Sequence, residues 1–113
     1  MATDGITVLK GVEAGKTVAI FGGMHGNETV GARAVYHLVS SLQPLRGTVY
    51  LVYANPPAID KGVRLINANL NRLFDRSLSG DTYEYQRAKE LMDLLDTCDA
   101  LLDIHSYNSE MGD

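Results

Sequence analysis

The sequence holds a single cysteine, Cys98, so no disulfide can form within the chain. That points to a reducing, cytoplasmic setting. Cys98 closes a run of helical character, and a plain buried thiol is the reading it supports. No apolar run approaches the ~20 residues that a membrane-spanning helix needs, so no membrane partner is expected. The start, MATDGITVLK, lacks the basic residues and apolar stretch of a signal peptide. Lys and Arg number 10 against 14 Asp and Glu, and the resulting charge of −4 repels nucleic acid rather than attracting it. What remains is ordinary globular composition, 45% hydrophobic and 21% charged, which excludes disorder. At 113 residues the chain is one small unit with a modest core.

ITVLK (Ile6 to Lys10) and TVAIFGG (Thr17 to Gly23) predict strands, with the turn-like GVEAG between them as a hairpin loop. From Asn27, a suitable helix cap, the period changes: Val30, Ala34, Val35, Leu38, Val39 and Leu42 recur at helical spacing until Pro44 and Gly47. TVYLVYA (Thr48 to Ala54) predicts a strand covered on both faces, stopped by Asn55, Pro56 and Pro57. Residues 58–80 show no period, and long irregular segments in compact domains are often functional. TYEYQRAKELMDLLDTC predicts a second helix starting at Asp81, with Tyr83, Ala88, Leu91, Met92 and Leu95 inward. ALLDIHS (Ala100 to Ser106) is the last strand. The order β-β-α-β-α-β indicates an α/β sheet flanked by helices.

GVEAGKT invites a phosphate-loop reading and fails it. Three residues, not four, separate Gly11 from the Gly15–Lys16 pair. A strand follows where a helix must start.

In FGGMHGNET, His25 and Glu28 stand three apart where a strand gives way to a helix. The pair can aim an imidazole nitrogen and a carboxylate oxygen at one zinc ion. Equally, Glu28 can simply complement the helix dipole, with His25 a loop residue. A third ligand would decide. His105 ends the strand LLDIH, at the carboxyl edge where α/β sheets carry their sites. If the two strands are parallel neighbours or near neighbours, His25, Glu28 and His105 meet with a fourth position open, the composition of a catalytic zinc site. Asp103, on the same sheet face as His105, can orient a ligand imidazole through its other nitrogen or serve as a buried partner of a helix. His37, mid-helix among polar neighbours, is a solvated surface residue. KGVRLINANLNRLFDR gathers Arg64, Asn67, Asn69, Asn71, Arg72 and Arg76 in an irregular segment. Guanidinium and amide groups there suit capture of a carboxylate, or form a solvated loop.

Three motifs occur in order: GGMHGNE (Gly22 to Glu28), Arg64 separated by six residues from Asn71–Arg72, and DIHS (Asp103 to Ser106). Together they resemble the aspartoacylase/succinylglutamate desuccinylase family of zinc deacylases, relatives of the zinc carboxypeptidases. The resemblance implies a carboxypeptidase-like mixed sheet flanked by helices. Residues 1–113 would be the N-terminal portion of its catalytic domain, apparently truncated, without the C-terminal half and the β domain. It implies one zinc per chain on His25, Glu28 and His105, with Arg64 polarising the scissile carbonyl. Asn71 and Arg72 would hold the carboxylate of a small N-acyl amino acid. Asn69 departs from the aspartate that many members carry before Leu-Asn-Arg. The family's general base lies well beyond the third ligand. Glu110, five residues past His105, does not match it.

The function expected is hydrolysis of the amide bond of N-acyl amino acids. The alternatives are a carboxypeptidase-like zinc peptidase, which the Arg64-to-Asn71 spacing disfavours, and a non-catalytic carboxylate-binding module. A truncated sheet would leave an open edge, so the chain is expected to form homo-oligomers.

Overall fold

The computed structural model describes residues 4–106. In chain order it contains β1 (Ile6–Lys10), β2 (Glu13–Gly22), α1 (Thr29–Ser41), β3 (Arg46–Tyr53), α2 (Pro56–Lys61), a 3₁₀ turn (Leu70–Arg72), α3 (Tyr83–Leu95) and β4 (Ala100–Ile104). The four strands form one mixed sheet in the order β1-β3-β2-β4. β1 runs antiparallel to β3, while β2 is parallel to both β3 and β4. Among the described residues, no helix is long and apolar enough to cross a membrane.

β3 is covered on both faces, as its unbroken apolar run predicts. Its alternating residues divide between two cores. Val49 and Leu51 join Val35, Leu38 and Leu42 of α1 and its flank. Val52 and Ala54 join Ala19 and Phe21 of β2, Ala88 and Leu91 of α3, and Leu70 and Leu73 around the 3₁₀ turn. The two long helices therefore lie on opposite faces of the sheet, and the second core reaches into the irregular segment.

Four expectations are corrected. GVEAG is not a hairpin loop: β3 lies between β1 and β2, and β2 itself begins at Glu13, with an irregular register up to Thr17. Asn27 does not cap α1. Glu28 occupies that position and makes no side-chain cap bond, because its carboxylate turns toward the sheet edge instead. The prolines that stop β3 start the short helix α2, where a missing N–H costs nothing, and Asn55 caps it by accepting from Ala58 N. α3 is capped at Thr82 rather than Asp81 and ends at Leu95, with Thr97 and Cys98 in the turn beyond it. His37 is exposed and Cys98 half-buried.

Two glycines let β2 feed the site. A side-chain carbon at Gly22 would overlap the carbonyl of Gly31, so α1 approaches the strand only because that carbon is missing. Gly23 turns the chain with φ 77°, in the left-handed region.

Candidate metal centre

β2 and β4 are parallel neighbours, with Gly22 opposite Ile104. His25 follows the carboxyl end of the first strand and His105 that of the second, so both reach one edge of the sheet. Glu28, leading into α1, fills the space between them. One ligand atom from each of His25, Glu28 and His105 lies within 4.8 Å of the other two. His25 is buried and Glu28 half-buried, while His105 is open to solvent. The imidazole rings meet edge to face, with centroids 5.4 Å apart.

The hydrogen bonds define which nitrogens face inward. Asn69 Oδ1 accepts from the backbone N–H of Asn71 at 3.0 Å, which identifies that atom as the amide oxygen. The same oxygen lies 3.0 Å from His25 Nε2, so Nε2 carries the proton and Nδ1 the lone pair. His105 repeats the pattern, with Nε2 3.0 Å from Asp103 Oδ2. The two Nδ1 atoms then meet the two oxygens of one carboxylate: His25 faces Glu28 Oε2 at 2.8 Å and His105 faces Oε1 at 3.1 Å. A neutral imidazole lone pair and a carboxylate oxygen repel at such distances. The arrangement therefore calls for a positive charge, either a proton or a metal cation. Two imidazoles and one carboxylate, each histidine held through its other nitrogen, fit a divalent ion such as zinc.

Electrostatics agree with that demand. Burial alone lowers the pKa of His105, but the carboxylates of Asp103 and Glu28 outweigh it and hold the imidazole above its ordinary value. Asp103 spends one oxygen on His105, and its other, Oδ1, is buried without a hydrogen-bond partner among the described residues.

Arg64 reaches the same edge, with Nη1 3.8 Å from Glu28 Oε2 and a side chain 38% exposed. Its carbonyl accepts from Gly26 N, tying its segment to the histidine loop. Asn71 and Arg72 lie in the 3₁₀ turn directly after Asn69. Arg72 is exposed, with Nη1 donating to the Asn71 carbonyl at 3.4 Å. Arg76 turns away to Asp93 and Asp96 of α3 and its end, outside the cluster. Glu110 lies outside the described residues.

The structure also buries two charged residues of α3, Glu84 and Arg87, that the sequence analysis does not single out. A signal for them exists: Glu84, Ala88, Leu91 and Leu95 share one helical stripe.

Residues 14–112 match the family model of the succinylglutamate desuccinylase/aspartoacylase catalytic domain. The chain belongs to the succinylglutamate desuccinylase/aspartoacylase family. It is 36% identical to an aspartoacylase of Rattus norvegicus, over 86% of this chain and 36% of the relative. To an N-acyl-aromatic-L-amino acid amidohydrolase of Homo sapiens it is also 36% identical, over 86% of this chain and 35% of the relative. A succinylglutamate desuccinylase/aspartoacylase structure from Rhodobacter sphaeroides superposes with a TM-score of 0.76 at 33% identity, covering 89% of this chain and 32% of the other. The chain thus spans about a third of the length of the relatives it matches. The mixed α/β fold expected from the motifs is the fold of this family.

Proposed function

We propose that this chain supplies the zinc-holding portion of a hydrolase that removes the acyl group from N-acyl amino acids. The observation that carries the reading is Glu28, whose two carboxylate oxygens face the lone-pair nitrogens of His25 and His105. His25, Glu28 and His105 would hold one zinc. Zinc in such a site supplies Lewis acidity toward a carbonyl and lowers the pKa of water to about 7.

The chain's own residues have separate tasks. Asn69 and Asp103 keep the histidine tautomers fixed. Arg64 donates to the amide carbonyl oxygen and offsets the negative charge that grows there during attack. Asn71 and Arg72 bind the carboxylate of the amino-acid portion, for which a guanidinium beside an amide is well shaped. The named relatives are an aspartoacylase and an amidohydrolase, which favours deacylation over peptide cleavage. The lone thiol of Cys98 supports a reducing, cytoplasmic setting. The edge of β4, unpaired among the described residues and with Leu101 45% and Leu102 56% exposed, supports self-association of this chain.

The test is amine release from N-acetyl-aspartate and from an N-acetyl aromatic amino acid by the zinc-loaded protein. Release that a chelator abolishes and Arg72→Ala weakens, with zinc content unchanged, supports the assignment. Release of C-terminal residues from peptides, with N-acyl amino acids untouched, overturns it.

A further inference from the structure

The segment from Arg64 to Arg72 has almost no regular structure, yet it must hold a guanidinium and Asn69 at fixed places beside two histidines. Its anchor is Glu84, on the first turn of α3 and fully buried. Three consecutive backbone amides converge on this carboxylate. Ile66 N donates to Oε2 at 2.7 Å, while Asn67 N and Ala68 N donate to Oε1 at 3.1 and 3.2 Å. The side-chain amide of Asn55, also buried, donates to Oε2 at 3.2 Å, and Asn55 Oδ1 in turn caps α2. Among the described residues, all four donors are neutral. A buried carboxylate answered only by neutral N–H groups is a costly way to pack a helix against a loop. Apolar contact would serve packing alone, whereas a carboxylate gripping successive amides fixes the path of the backbone.

That path leads directly to the metal ligands. Ala68, the last amide held, precedes Asn69, whose Oδ1 accepts a hydrogen bond from His25 Nε2–H and caps the turn bearing Asn71 and Arg72. On the other side, Arg64 stands two residues before Ile66. We infer that Glu84 is the positioning residue of the site: its carboxylate sets the Arg64–Arg72 segment against His25, and through Asn69 it selects the His25 tautomer. This rests on the deacylase reading only for what the segment does to substrate.

The experiment compares the native chain with Glu84→Gln, which keeps size but points an NH₂ group at the amides. Amide hydrogen exchange is followed by residue, and the ¹⁵N shifts of the His25 ring are read in metal-free protein above the pH at which histidines titrate. The expected result is exchange at Ile66, Asn67 and Ala68 at least ~10-fold faster, with β2 and β3 unchanged. His25 changes from the Nε2–H form to a mixture of tautomers. Unchanged exchange at the three amides overturns the inference, as does a His25 that keeps its tautomer once they are released. Uniform loss of protection means a role in folding alone, and also overturns it. Should Glu84→Gln fail to fold, Glu84→Asp, which keeps the charge and withdraws it by one methylene, is measured for the same two signals. Failure of both to fold counts against the inference. Neither readout needs zinc or substrate, so a failure of the deacylase reading shows separately, as a native chain that holds no metal.

Discussion

His25 and Asn69, 44 positions apart in sequence, are joined by a 3.0 Å hydrogen bond from the ring nitrogen that faces away from Glu28. One amide oxygen thereby fixes a tautomer and, by accepting from Asn71 N, shapes the turn that bears Arg72. Removing it with Asn69→Leu should weaken zinc binding by about 10–100-fold, the usual cost of losing a partner behind a ligating histidine. Asn69→Asp keeps an acceptor and should bind at least as tightly as the native chain. Competition with a chromogenic chelator measures both; equal affinities for Asn69→Leu and the native chain would separate Asn69 from the site.

Glu84 predicts an acid dependence. Burial by itself raises its pKa, but the amides of Ile66, Asn67 and Ala68 and the side chain of Asn55 outweigh that, and the carboxyl lies below its ordinary value. A group whose folded pKa is depressed contributes stability that is complete above its unfolded pKa, about 4.3 for glutamate, and is lost as pH falls through the folded value. The stability gap between the native chain and Glu84→Gln should therefore be widest near neutrality. It should shrink as pH drops below about 4. Urea unfolding at several pH values reads this directly, and a gap that widens on acidification would contradict the assignment.

β4 pairs with β2 along one side, and among the described residues no strand pairs with the other. With Leu101 and Leu102 exposed on this edge strand, the 113-residue chain should exceed monomer mass in light scattering at micromolar concentration. Leu101→Lys with Leu102→Lys should return it toward monomer, since charge on an edge opposes pairing. A monomeric native chain would show that the edge recruits no second copy.

Much of this was legible in the sequence, and the limits have physical causes. β3 announced itself because both of its faces are buried, and α1 because Val35 and Leu38 recur at helical spacing. The histidines could be brought together on paper because parallel strands end at one edge. β1 and β2 read as a hairpin because adjacency in sequence usually means adjacency in a sheet; the insertion of β3 between them is a long-range choice that no local pattern encodes. Pro56 and Pro57 end a strand and begin a helix by the same chemistry, a missing N–H, so the local signal is ambiguous. Glu84 escaped notice because carboxylates are almost never buried, and its partners are backbone amides that have no sequence signature.

The central claim is that residues 25, 28 and 105 form one metal site, and metal content after exhaustive dialysis tests it most directly. The native chain should retain about one zinc, and His105→Ala should retain far less while keeping its fold by circular dichroism. A native chain that holds no metal, or a variant that holds as much as the native chain, would contradict the account.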